Sequence, residues 1–212
     1  MQKRETTTFS LTYKEQTYTF LHPADSEALL EEITDEQFEE DEYLPYWAEL
    51  WPSSLTALDY LPTVLPKTTP ILEIGAGLGV VSTILAKEGF TLFASDYAEE
   101  SCDFMQLNSI QNKAPFSVFC SDWRTPCLSH QFEAIVGIDI LYEERWIDSV
   151  LGQLVANLSP TGTAYIYDPH RSFRSVFVDH LKAHPILELA QHHATPSKSG
   201  KSIIDCYEIR RS

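Results

Sequence analysis

Ile71-Leu72-Glu73-Ile74-Gly75-Ala76-Gly77-Leu78-Gly79 decides the reading of this chain. A short apolar strand runs into three glycines at alternate positions, and residues 80–87 follow with the apolar spacing of a helix. Glycine permits a tight turn with positive φ and lets a ligand approach the backbone. The pattern is G-x-G-x-G with an acidic residue before it, which differs from the dinucleotide pattern G-x-G-x-x-G. A strand before and a helix after make it a ligand-binding turn rather than a merely structural one.

Downstream of the glycines, strands and helices alternate. Residues 90–95 read as a strand, 99–111 as a helix and 116–120 as a third strand. Residues 132–138 are nearly all apolar, which predicts a strand buried on both faces. A helix over 146–158 follows, then a turn at Pro160-Thr161-Gly162 into a fifth strand, 163–167. A further helix over 174–183 precedes two closing strands, 186–192 and 202–209. This alternation predicts an α/β fold with a parallel, doubly wound sheet. Right-handed crossovers then place the ligand site at the carboxyl ends of the first strands.

Upstream, residues 7–21 are rich in Thr, Tyr and Phe around the polar break Lys14-Glu15-Gln16, and predict a β-hairpin. Residues 24–49 hold eleven acidic residues and no Lys or Arg, while Leu29, Leu30, Ile33 and Phe38 are spaced for one or two short amphipathic helices. Residues 46–61 form an aromatic-rich lead-in to a helix with Leu55, Leu58 and Leu61 on one side. The expected organisation is a hairpin and acidic helical extension over residues 1–45, then one domain over 46–212.

The chain has 212 residues, 43% of them hydrophobic and 22% charged, which suits one globular domain with a small extension. Fifteen Lys and Arg against 31 Asp and Glu give a net charge of −16. That charge argues against a nucleic-acid backbone or an anionic membrane surface as partner. It fits a basic or neutral partner, or a small molecule. The acidic run is either a solvated face or a guide for a basic substrate. Cys102, Cys120, Cys127 and Cys206 form no C-x-x-C pair and lack histidines at ligand spacing, so reduced thiols and no metal site are expected. Residues 1–16 lack the apolar core of a signal peptide. No apolar run approaches the roughly 18 residues of a membrane helix. A soluble, cytoplasmic protein is expected.

Three acidic positions follow the strands beyond the glycines. Asp96 lies about 20 residues past them, where a carboxylate meets ribose hydroxyls in nucleoside-binding folds. It also suits a helix N-cap, with Glu99 three residues on. Asp122-Trp123 offers an indole to cover a purine and a carboxylate to accept from an exocyclic amine, unless Trp123 is a core residue. Asp139-Ile140-Leu141-Tyr142 puts a carboxylate and a phenol at the same sheet edge, the alternatives being a helix cap and a packed ring. His192-His193 reads as structural. Gly200-Lys201-Ser202 is not a P-loop, because Thr195 stands where the first glycine is required and a strand follows.

From about residue 46 onward, the chain resembles the class I, seven-strand S-adenosylmethionine-dependent methyltransferases. Within them it is similar to small protein-lysine methyltransferases with a [DE]-x-x-[YF] motif after the fourth strand, here Asp139 to Tyr142. Tyr46-Trp47-Ala48-Glu49-Leu50-Trp51-Pro52 resembles that family's aromatic segment, whose Trp, here Trp51, lies against the cofactor. Tyr167-Asp168-Pro169-His170-Arg171 resembles its D-P-x-R element. The pattern is most similar to enzymes that methylate the β-subunit of electron-transfer flavoprotein, and to their bacterial counterparts.

The resemblance implies a Rossmann-like, mostly parallel seven-stranded sheet with an antiparallel last strand. It implies S-adenosylmethionine as cofactor and S-adenosylhomocysteine as product. Glu73 and the backbone of Gly75, Ala76 and Gly77 would face the methionine moiety, with Gly79 and Tyr97 also in the cofactor site. Asp96 would hold the ribose, and Asp122 and Trp123 would border the adenine. Ile138, through its backbone, and Asp139 would stand near the amino group of the methionine moiety and the transferred methyl. Asp139 and Tyr142 would be the catalytic pair, with Tyr46 and Trp47 as neighbours. The Asn/Asp-Pro-Pro-aromatic motif of adenine and glutamine-amide methyltransferases is absent, which with the charge argues against nucleic acid. N-methylation of lysine in a protein with a basic surface is the expected activity, and small-molecule N- or O-methylation the alternative. A non-catalytic binding module is disfavoured because Asp139 and the glycines are intact.

Overall fold

The computed structural model describes residues 4–25, 28–29, 45–126 and 129–212. A hairpin of β1 (Thr6–Tyr13) and β2 (Gln16–Pro23) comes first, paired antiparallel as expected. A 3-10 turn at Tyr46–Ala48 leads to α1 (Pro52–Val64), β3 (Ile71–Ile74), α2 (Val80–Lys87) and β4 (Leu92–Asp96). Next are α3 (Glu99–Gln111), β5 (Ser117–Cys120) and β6 (Phe132–Ile138). A second 3-10 turn, Glu144–Trp146, precedes α4 (Ile147–Asn157), β7 (Leu158–Asp168), α5 (Arg174–Ala183), β8 (Leu187–Pro196) and β9 (Ile203–Arg211).

Seven strands form one sheet in the order β5-β4-β3-β6-β7-β9-β8, with β9 antiparallel to both neighbours and the other pairs parallel. The chain order reverses between β3 and β6, and that switch point opens a crevice beyond the strands' carboxyl ends. Successive strand residues serve opposite faces: Ile71 lies in one core cluster with Leu58, Ile84 and the hairpin's Phe20, while Leu72 lies in another with Leu154 of α4 and Phe177 of α5. Each such fully buried side chain contributes about 1.5–3 kcal/mol of apolar burial.

Two asparagines fasten the hairpin to α3. Asn112 Oδ1 accepts the Thr19 N–H at 3.0 Å and its Nδ2 donates to the Thr19 carbonyl at 2.9 Å. One turn earlier, Asn108 makes the same pair of bonds to Leu21, at 2.7 and 3.1 Å. The side-chain amides thus stand in for a neighbouring strand and satisfy backbone groups that β1 does not reach. Asn108 Nδ2 also donates to the Leu78 carbonyl at 3.0 Å, which ties the hairpin to the glycine turn.

Three expectations change. Residues 160–162 are not a turn before a strand: they lie inside β7, which starts at Leu158 and bulges against β6. Gly162 permits this, since a Cβ there would lie 2.9 Å from the Phe132 carbonyl oxygen. Leu55 is half-buried, while Leu58 and Leu61 are fully enclosed. β8 continues to Pro196 rather than ending at His192. Most of the helices expected over the acidic stretch, and Cys127, lie outside the described residues.

Candidate active site

Gly75, Gly77 and Gly79 all take left-handed backbone, with φ of 62°, 53° and 70°. A Cβ on Gly75 would lie 2.7 Å from the Ile140 side chain and 3.0 Å from the Trp123 ring. One on Gly77 would lie 3.0 Å from the Trp47 carbonyl oxygen. The turn can pass beneath these residues only without side chains.

The turn is held by the buried Asp96 carboxylate. Its Oδ2 accepts the Gly77 N–H at 2.9 Å and its Oδ1 accepts the Ala98 N–H at 3.1 Å. Asp96 is not the N-cap of α3, which is Ala98 and has no side-chain cap bond; its carboxylate instead fixes the backbone of Ala98 just before the helix and anchors the glycine turn. Burial pushes the Asp96 pKa up, against these backbone donors. Glu73 is buried beneath the turn, receives the Ser82 hydroxyl, and is pushed by burial to a pKa of about 7.

Beyond the strand ends lies a cavity of about 260 Å³. From the β3 and β4 ends it takes Glu73, Gly75, Ala76, Gly77, Asp96 and Tyr97. Trp123, beyond β5, and Ile138, Asp139 and Tyr142, at the end of β6, complete the opposite wall. Tyr46 and Trp51 close it from the segment before α1. Trp123 is thus at the cavity and only half-buried. Two expected residues stand outside the lining. Gly79 faces α3, where its Cβ would meet Met105 at 2.8 Å. Asp122 is taken by Arg124 two residues on: Oδ2 accepts from Nε at 2.6 Å and Oδ1 accepts the backbone N–H at 2.8 Å.

Asp139 has φ of 58° and donates its backbone N–H to the Tyr167 carbonyl at 2.9 Å. Ser53 Oγ donates to Oδ1 at 3.0 Å, while the buried Oδ2 has no hydrogen-bond partner. Burial pushes this carboxyl to a pKa of about 7, although Ser53 and the Arg171 charge pull it down. α4 begins eight residues later, without a side-chain cap, so Asp139 is not a helix cap. Tyr142 meets the Tyr46 ring edge-on at 5.4 Å and lies 6.2 Å from the Trp123 ring. Tyr46 in turn lies 5.7 Å from Trp51, whose Nε1 donates to the Tyr46 carbonyl at 2.9 Å. The result is an acidic chamber with an aromatic mouth.

Residues 34–184 match the sequence profile of a family described as lysine methyltransferase. The chain belongs to that family. The fold agrees with solved structures of methyltransferases. A TehB-like SAM-dependent methyltransferase from Corynebacterium glutamicum aligns with TM-score 0.61 and 16% identity, covering 88% of this chain and 98% of that one. Ribosomal protein L11 methylase from Lactobacillus delbrueckii subsp. bulgaricus aligns with TM-score 0.56 and 18% identity, over 76% and 77% of the two chains. Coclaurine N-methyltransferase bound to N-methylheliamine and SAH aligns with TM-score 0.55 and 12% identity, over 68% and 51%. Comparison with curated proteins gives no match.

The protein is an S-adenosylmethionine-dependent methyltransferase, and the cavity's chemistry fits that cofactor. Glu73 and Asp96 offer carboxylates to cationic and hydroxyl groups, the glycine turn offers close backbone, and Trp123 offers an indole face. The structure also brings to the site groups that sequence patterns did not single out as site residues. Arg171 lines the cavity and donates to the Leu141 carbonyl at 3.1 Å and to Asp168. Its signal was the D-P-x-R element. Ser53 carried only its place after Trp51-Pro52. His192 and His170 each lie 2.8 Å from the buried Asp205, outside the cavity lining, which agrees with a structural reading of His192. Among the described residues no helix is long and apolar enough to cross a membrane.

Proposed function

We propose that this methyltransferase N-methylates lysine side chains of a protein. The observation that supports the reading most is the Asp139 carboxylate, which lines the cavity together with Tyr46, Trp51 and Tyr142 and has one oxygen, Oδ2, without a hydrogen-bond partner. A carboxylate bordered by aromatic faces suits an alkylammonium group. The bound cofactor supplies a methyl group on a sulfonium. The chain's own residues then bind and orient. Glu73 and the backbone of residues 75–77 would hold the amino-acid arm, Asp96 the ribose, and Trp123 with Tyr97 the adenine end. Asp139 draws in the lysine ammonium and takes up its proton on the carboxylate, where a pKa of about 7 suits transfer near neutrality. Alignment of acceptor and methyl is the main demand, and the aromatic rings of Tyr46, Trp51 and Tyr142 serve it. A net charge of −16 favours an acceptor on a basic surface.

The test is incubation of the purified enzyme with methyl-tritiated cofactor and a size-fractionated cell extract. Label recovered as methyl-lysine after hydrolysis of the protein fraction supports the reading. Label confined to the small-molecule fraction overturns it in favour of a metabolite acceptor.

A further inference from the structure

The two oxygens of Asp139 are treated differently. Oδ1 accepts the Ser53 hydroxyl, and the buried Oδ2 is left without a partner. Ser53 sits fully buried in the first turn of α1, 86 positions from Asp139, and does not line the cavity, though its neighbour Ser54 does. Asp139 is also clamped through its main chain, by left-handed φ and by the bond to the Tyr167 carbonyl. Rotation of the carboxylate would break the Ser53 bond inside a buried site. Among the described residues, Ser53 is the one hydrogen-bond donor to this side chain.

We propose that Ser53 is a positioning residue that fixes the orientation of the Asp139 carboxylate at the cavity wall, where it meets the methyl acceptor. This rests on the reading of Asp139 as the group that contacts the acceptor. Other groups act on the same carboxylate. Arg171, from beyond β7, pulls it toward the charged form and Asp168, at the end of β7, opposes this. Glu73 from β3, Asp96 from β4 and Tyr142 from the loop after β6 share the cavity. Arg171 is occupied by Asp168 and the Leu141 carbonyl, which leaves the orientation of Asp139 to Ser53.

The test is Ser53→Ala in the whole protein. Turnover at pH 7 should fall about tenfold, with the KM for S-adenosylmethionine changed by less than about twofold. The acidic limb of the pH–rate profile should move up by about one pH unit. Carbon-13 NMR titration of the Asp139 carboxyl in the protein alone should show the same upward shift. In an Asp139→Asn background, Ser53→Ala should cost nothing further. Should Ser53→Ala not fold, Ser53→Cys, of similar volume but a weak donor, carries the same measurements. An unchanged pH profile and titration in the folded variant overturn the proposal, as does an undiminished loss in the Asp139→Asn background. If the methylated acceptor is not a lysine, the functional reading fails, while the NMR titration still judges Ser53.

Discussion

Asp96 Oδ2 accepts the Gly77 backbone N–H at 2.9 Å, so the carboxylate that ends β4 holds the turn that ends β3. Its other oxygen accepts the Ala98 N–H. An amide has a single acceptor oxygen, so Asp96→Asn must turn its NH2 toward one of these two donors. Stability should fall by about 1–3 kcal/mol and affinity for S-adenosylhomocysteine by at least about tenfold. Calorimetry and urea unfolding measure both. Undiminished affinity would put the ribose end of the site elsewhere.

Gly77→Ala and Gly79→Ala should separate binding from packing. Each forces a left-handed conformation on alanine, at about 1–2 kcal/mol. At Gly79 the new methyl meets the flexible Met105 side chain, but at Gly77 it meets the Trp47 backbone carbonyl. Cofactor affinity should therefore drop in Gly77→Ala and stay near wild type in Gly79→Ala. The reverse order, read by calorimetry, would show that the turn meets the ligand through Gly79.

Stability should depend on pH through Glu73 and Asp139. Burial raises their carboxyls from 4.5 and 3.8 to about 7 in the folded protein. Between about pH 4 and 7 the folded chain keeps protons that the unfolded chain has released. Their contribution is thus complete below about pH 4 and is lost as pH rises through 7, on the order of 3–4 kcal/mol for each group. Glu73→Gln should flatten the fall in urea-unfolding stability between pH 5 and 8. A slope equal to that of the wild type would mean that Glu73 is already ionised at pH 5.

Activity should move the opposite way. On the proposed reading the ionised form of Asp139 attracts the acceptor, so the rate should rise with pH through about 7. Asp139→Asn should lower turnover by about 10²–10⁴ while cofactor affinity holds. Equal losses of turnover and thermal stability would assign Asp139 a structural role.

The charge of residues 24–49 predicts a salt effect. If the acceptor is a lysine on a basic surface, screening beyond about 10 Å at 0.1 M salt should raise KM for the protein acceptor and leave kcat unchanged. Neutralising Glu39, Glu40, Asp41 and Glu42 together should do the same at low salt. A KM that is flat with salt, for a confirmed protein acceptor, would leave solubility as the role of this charge.

The sequence by itself determined the β3–turn–α2 unit, the buried β6 and the position of the site at the strand ends. These follow from local causes: a two-residue or 3.6-residue apolar period, and backbone angles that glycine alone adopts freely. Even local chemistry can mislead, as where Gly162 sustains a bulge in β7 instead of a turn. Asp122 stands at the expected strand end, yet its side chain is taken by Arg124. Only the tertiary structure decided which carboxylates turn into the cavity and what restrains them. Asp139 and Ser53 are 86 positions apart, and Asn108 reaches Leu21 across 87. No periodicity encodes such pairs. A hydrogen bond needs its atoms within about 3 Å, and only packing α1 against the sheet and the hairpin against α3 brings them there.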